Sequence, residues 1–502
     1  MMPRERASFS ITSLKNDALR TTARNSLWRG LFAPVNIASL VFFRIVFGAL
    51  MLAEATNWIF QVRAHYDFFQ LPFHFTYPGF DWVRPWPGVG MYLHVLALGV
   101  LAVFVMLGLW YRVSMTLFFL GFTYVFLLDE ALYHNHLYLI CLFSFLMIFV
   151  PAHRALSLDA VRRPSIRANT APAWALWTLR IQTGLVYFYS GLIKLLDSDW
   201  RHAEQFKIIL AAKAEGAPHA LPIAGDLIGY LLQKEWMAYL FSYGGMLLDL
   251  SVFPLLLWRR TRVFAFALAV AFHLTNWQMF GLDLFPALMI AATTLFFSPS
   301  WPRRLLSRLR WPRLSDRLQL AERTGTPEPP NLEPAATDRL QPKQVATVVL
   351  FTLFLAFEIL VPLRHLLYPE NVLWTREGSR FSWMMYMHAW AEPSSAKFSV
   401  TDPVSNRTWD VDPEEYLHPA QYAEMSKEPD MVLQFAHRIA DVWHQRGYDQ
   451  VEVYAKVRVP LNGREPQLLI DPTVDLAAQP RTLKPAEWIM PLKERRKDEA
   501  EG

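Results

Sequence analysis

The sequence predicts a polytopic α-helical membrane protein of about nine spans, N-terminus inside and C-terminus outside, with a C-terminal extramembrane α+β domain. Three observations carry that prediction. Of 502 residues, 53% are hydrophobic and 15% aromatic while only 19% are charged, a balance suited to lipid rather than water. Apolar runs near 35–60, 89–110, 113–132, 134–150, 173–196, 236–258, 262–280, 281–298 and 344–363 approach the roughly 20 residues that a spanning helix needs. Lysine and arginine collect in alternate loops between those runs, which is how orientation is encoded.

Taken in order, residues 1–33 carry Arg4, Arg6, Lys15, Arg20, Arg24 and Arg29 without an apolar core and cleavage site, so they read as a basic cytosolic N-terminus and not a signal peptide. The transmembrane helical domain then runs over 34–298. Its inner loops are the turn at Arg112, "HRALSLDAVRRPSIR" and "RRTR" at 259–262, whereas the loops 61–88 and 197–235 are mixed or acidic. The segment 299–343 holds nine Lys/Arg and ends in "TGTPEPPNLEPAATDRLQPK", a composition that buries no core and predicts a mobile cytosolic linker. The net charge of +5 is thus accounted for by orientation, and no nucleic-acid partner is expected. After a last helix over 344–363, residues 364–502 turn polar and form the outer domain. Strands are predicted at "FSWMMYMHAW", at "AKFSVTD" with "RTWDVD", and at "QVEVYAKVRV" with "QLLID". Met431, Phe435, Ile439 and Val442 recur at helical spacing and predict one helix covering the sheet.

Ionisable groups inside a membrane are costly and by default mark a functional site. On this topology Glu54, Asp129, Glu130, His134, Asn135, His136, Lys194, His273, Asn276, Gln278 and Glu358 all fall in the outer half, which suggests one outward-facing pocket. Bland readings stand beside each. Lys194 can snorkel to the interface or pair with Asp197 or Asp199; buried, its amine could serve as a base. His136 can cap a turn, and His273 can simply bond a neighbouring helix. Arg44 and Arg180 lie deeper toward the inner side and read as structural, paired for example with Asp249, while Trp58, Trp200 and Trp236 read as interfacial belts. The single cysteine, Cys141, excludes an intramolecular disulfide and a cysteine-based metal site, and no metal is expected. No phosphate loop, HExxH or nucleophile elbow occurs, so hydrolase and kinase readings have no support.

At these residues the chain resembles the vitamin K-dependent gamma-carboxylases and their bacterial relatives with the "horizontally transferred transmembrane domain". The likeness rests on six stretches in one order: "HFTYPGFDWVRPWP", "LDEALYHNHLYL", "VYFYSGLIKLLDSDW", "FHLTNWQMFGLDLFPALM", "REGSRFSWMMYMH" and "LLIDPTVDLAAQPRTLKPAEWIMPL". The resemblance implies an enzyme that oxidises reduced vitamin K, as phylloquinol or menaquinol, with O2 to the epoxide. It implies that the strong base so formed removes a γ-proton from a peptide glutamate, which then takes up CO2. It also implies roles: Lys194, in the pattern Gly191-x-x-Lys194-Leu195, as the base toward the quinol, with His136 and His273 as further catalytic residues. By the same resemblance Asn135, Asn276 and Gln278 would stand beside the cofactor, and Trp383 and His388 would bind the substrate glutamate.

The chain departs from the family at Phe381, where a tyrosine is usual, at Met384, where a polar residue is expected, and in one extra residue between Lys194 and "DSDW". Two further readings are therefore carried: a quinol epoxidase without peptide carboxylation, and a non-catalytic quinone- or lipid-binding membrane protein. The short length and absent cysteine pair point to a bacterial inner membrane with a periplasmic C-terminal domain.

Overall fold

The computed structural model describes residues 30–64, 71, 73–220, 225–281, 284–308, 340–389 and 392–493. The basic segment 1–29 and most of the linker, 309–339, lie outside the described residues, as do the expectations placed on them. The protein is mostly helical, with a helix in every predicted apolar run: Ala38–Ala64, Gly90–Leu107, Tyr111–Phe126, Asn135–Phe149, Ala173–Leu196, Glu235–Leu257, Arg262–Phe280, Phe285–Thr293 and Pro342–Leu363. Five described helices are long and apolar enough to cross a membrane: Ala38–Ile59, Gly90–Leu107, Glu235–Leu257, Arg262–Phe280 and Pro342–Leu367. Tyr111–Phe126, Asn135–Phe149 and Phe285–Phe296 are apolar but shorter. Ala173–Leu196 is long, yet it spends Arg180, Gln182, Ser190 and Lys194 on polar chemistry. The predicted outer loop 197–235 is itself largely helical, over Ser198–Arg201, Glu204–Ala220 and Gly225–Leu232.

Among apolar surroundings helices associate by close packing of small residues rather than by expelling water. A Cβ added at Gly48 would sit 2.7 Å from the Met106 nitrogen, so the first helix meets Gly90–Leu107 almost backbone to backbone. Gly191 does the same between Ala173–Leu196 and Glu235–Leu257: a Cβ there would lie 2.9 Å from the Leu250 nitrogen and 3.0 Å from the Asp249 Cβ. Arg44 is fully buried and, contrary to the expected carboxylate pairing, donates to the carbonyls of Ala152 at 2.8 Å, Ala155 at 3.3 Å and Leu156. Arg180 likewise donates to the carbonyls of Leu295 at 2.9 Å and Phe297 at 3.2 Å. Orphan carbonyls at helix ends, not Asp249, take the hydrogen bonds these guanidiniums make.

The C-terminal domain holds an antiparallel sheet in the order Arg407–Val411, Ser395–Asp402, Glu452–Val459, Gln467–Leu468. Helix Pro429–Gln445 lays Met431, Phe435 and Ile439 on it, with Phe435 edge-on to Phe398 at 4.9 Å. The strand expected at "FSWMMYMHAW" does not form. Phe381, Trp383 and Tyr386 adopt φ of 60°, 58° and 62°, a left-handed conformation that no strand accommodates. The segment instead feeds three aromatic rings into the helical bundle, where its hydrophobic residues are absorbed. Asp199, Glu130 and Thr76 seat the domain, taking hydrogen bonds from Arg464 at 2.8 Å, Arg380 at 3.1 Å and, through the Thr76 carbonyl, Gln434 at 3.3 Å.

Candidate functional site

The site is built on one helix. In Ala173–Leu196 the spacing of Tyr187, Ser190, Gly191 and Lys194 puts all four on a single face, and all four are buried. Because Gly191 lets the neighbouring helix approach, Asp249 arrives beside Lys194. Lys194 Nζ lies 2.6 Å from Asp249 Oδ2 and 3.0 Å from Ser190 Oγ, and the Ser190 hydroxyl donates to the same Asp249 oxygen at 2.8 Å. Both side chains of the ion pair are 2% exposed, which removes the interfacial-anchor reading of Lys194. The ammonium also faces the rings of Trp200 at 4.7 Å and Tyr386 at 5.9 Å.

Neither Asp197 nor Asp199 pairs with Lys194. Asp197 caps the turn Ser198–Arg201 by accepting from the Trp200 amide at 2.6 Å, and Asp199 is held by Arg464 and by Asn462 at 3.0 Å. Trp200, expected in an interfacial belt, is 2% exposed and donates through its indole N–H to the Ser242 carbonyl at 2.9 Å. Trp236 is exposed as expected, and Trp58 stacks on Phe122 at 5.1 Å.

His273 is buried, with Nε2 2.6 Å from the Tyr187 hydroxyl and Nδ1 without a hydrogen-bond partner among the described residues. Phe285 sits between it and His136, 5.9 Å from the first ring and 6.5 Å from the second. Asn135 accepts from the Tyr133 hydroxyl at 3.0 Å, and that hydroxyl accepts from the Phe381 amide at 2.8 Å. Trp383 is fully buried, its ring 5.1 Å from Tyr138 and its indole N–H without a hydrogen-bond partner among the described residues. Tyr138 donates to Glu358 at 3.1 Å, and Gln182 donates to the other Glu358 oxygen at 3.0 Å.

Two predicted members stand apart. Asn276 shares the buried face of its helix with His273, but Gln278, two residues on, is exposed, because helical phase turns it away. Gln278 thus does not share the buried face that carries His273 and Asn276. His388 sits in the C-terminal domain, donating to the Leu373 carbonyl at 3.0 Å beside Arg376; burial, joined by the Arg376 charge, holds the imidazole well below its ordinary value. Sequence reasoning missed Asp249 as the lysine's partner, along with Ser190 and Tyr187. A lone carboxylate inside "GGMLLDLSV" and a serine four residues before the lysine were the available signals.

The arrangement can hold and move a proton at Lys194 Nζ and Asp249 Oδ2 inside an aromatic, water-poor bundle. His273 Nδ1, Trp383 Nε1 and Gln182 Oε1 are buried without hydrogen-bond partners among the described residues, and such donors and acceptors suit the hydroxyl or carbonyl groups of a lipophilic ring. No group of three or more His, Cys, Asp or Glu suited to a metal occurs among the described residues.

This is the structure of an integral membrane protein whose helical bundle buries a lysine–aspartate pair beneath an extramembrane domain. Residues 32–301 match the family model of the HTTM domain, more than half the chain, and residues 343–495 match that of the vitamin K-dependent gamma-carboxylase lumenal domain. The chain belongs to the HTTM family, and the two domains together are characteristic of the gamma-carboxylases. No solved structure matches it.

Proposed function

We propose that this protein is a vitamin K-dependent gamma-glutamyl carboxylase-like enzyme that couples oxidation of a reduced vitamin K quinol by O2 to carboxylation of peptide glutamate. The observation that carries the reading is the buried Lys194–Asp249 pair, set among aromatic rings in a chain carrying both gamma-carboxylase domains. When bound, the quinol supplies a strong base on reaction with O2. The protein's part is to take the quinol's hydroxyl proton. Lys194 Nζ receives it while passing one of its own to Asp249 Oδ2, 2.6 Å away, so that a positive charge stays beside the oxygen that becomes negative. Ser190 holds the carboxylate in place, and the aromatic lining excludes the water that would quench a strong base. His136 and His273 would flank the ring, with Asn135 and Asn276 beside them, and Trp383 would border the glutamate.

In the same reading residues 34–298 and 344–363 form the membrane domain, spanning about nine times with the N-terminus inside. The domain 364–502 faces outward, into a periplasm if the membrane is a bacterial inner one. A second reading, quinol oxygenation without peptide carboxylation, is favoured by Phe381 and Met384, which leave the segment bordering the glutamate less polar than the family pattern.

The test is purified protein in detergent given reduced vitamin K or menaquinol, O2, labelled bicarbonate and a Glu-containing peptide. Epoxide with fixed label is the expected result, and epoxide without label supports the second reading. Absence of both leaves a non-catalytic binder, and rates unaffected by Lys194→Ala overturn the site proposed at the lysine.

A further inference from the structure

Between the first outer loop and the outer domain lies a cavity of about 1420 Å³, larger than the roughly 300–1000 Å³ typical of small-molecule pockets. Its floor is the end of the last membrane helix, where Arg364 opens the turn Arg364–Leu367. The arginines of the cavity differ in one respect. Arg380 pairs with Glu130 at 3.1 Å, Arg481 with Asp430 at 2.7 Å and Arg376 with Glu428 at 3.6 Å. Arg364 has no carboxylate within ion-pair distance among the described residues, although it is half-buried. Its guanidinium lies instead 5.2 Å from the Phe381 ring centroid, and Phe381 leads inward to Tyr138 at 4.9 Å and from there to Trp383 at 5.1 Å.

A guanidinium fixed over an aromatic face keeps its N–H fork oriented and incompletely used, the state in which it grips a carboxylate bidentately. We infer that the cavity admits an extended peptide and that Arg364 is the receptor for the carboxylate of its acidic side chain, whose methylene stem lies along Phe381. This rests on the proposed use of a peptide substrate and names the residue that selects glutamate. It also gives Phe381 a role that a tyrosine is not needed for: an apolar platform under the cation. A lipid phosphate is the rival partner for an arginine at a membrane boundary. Arg364, however, lines a cavity roofed by the outer domain and lies over a ring packed into the bundle core.

The experiment measures binding of a fluorescent Glu-containing peptide and its Gln analogue by anisotropy, alongside carboxylation kinetics, in the full chain and in Arg364→Gln and Arg364→Lys. The native protein should prefer the Glu peptide by about ten- to hundredfold, the range of a charge-assisted contact. Arg364→Gln should erase the preference and raise KM by a similar factor, and Arg364→Lys should restore part of both. Carboxylation at an unchanged KM in Arg364→Gln overturns the inference and leaves the proposed function standing. Selective binding lost in Arg364→Gln, with no label fixed by the native protein, upholds the inference and sinks the carboxylase reading. If the variants alter only the dependence of thermal stability on anionic lipid, Arg364 holds a lipid phosphate and the inference fails.

Discussion

Lys194 and Asp249 each satisfy the other's buried charge, and neither has another oppositely charged side chain within ion-pair distance among the described residues. Removing one partner of such a pair strands the other and costs about 3–5 kcal/mol, whereas replacing both by apolar side chains is near neutral. Asp249→Ala should therefore destabilise the protein far more than the double variant Asp249→Leu with Lys194→Met, as read by chemical denaturation in detergent. Both should lose quinol oxidation. Equal destabilisation would mean that the pair is not the isolated unit the distances describe. Ser190→Ala removes one hydrogen bond of the carboxylate and should cost about 1 kcal/mol while slowing, not abolishing, turnover.

At the scale of elements, the approach of two helices decides where Asp249 sits. Gly191→Ala puts a methyl 2.9 Å from the Leu250 nitrogen, so the helices must separate. Overpacking of this kind costs about 1–3 kcal/mol, and it should also lengthen the Lys194–Asp249 contact and depress quinol oxidation. Gly244→Ala, on the facing helix with nothing within 4 Å, is the control and should change neither. A variant at Gly191 indistinguishable from that control would place the determinant elsewhere. The segment carrying Phe381, Trp383 and Tyr386 makes a related point: backbone strain at three residues is maintained because each ring has a place in the bundle.

For the whole molecule, burial of His388 in the C-terminal domain makes stability depend on pH. His388 is held well below its ordinary value of 6.5 by burial and by Arg376, so the folded state resists protonation. Its stabilising contribution is complete above pH 6.5 and is lost as pH falls from there toward the folded value, because the unfolded chain takes up the proton first. Thermal midpoints from pH 7.5 to 5 should fall more steeply in the native protein than in His388→Asn. Parallel slopes would remove His388 from the account. The proposed topology is testable with cysteines, since the native Cys141 is buried. In intact cells an impermeant maleimide should label exposed Ser405→Cys but reach exposed Ser165→Cys only after permeabilisation. The reverse pattern would invert the topology.

What the sequence determined alone was the set of elements with a periodic apolar signal: the helical runs, the paired strands Ser395–Asp402 and Glu452–Val459, and the helix carrying Met431 and Phe435. Period and length are local properties, and they survive folding. It also brought forward Lys194 and His273, because a polar group in a long apolar run is conspicuous. Tertiary structure alone decided the partners. Asp249 lies 55 residues from Lys194, and no local pattern prefers it over Asp197 or Asp199; the choice was made by helix packing at Gly191. The alternation-like run "FSWMMYMHAW" failed as a strand for the same reason, since burial of its rings in the bundle outweighed its local propensity.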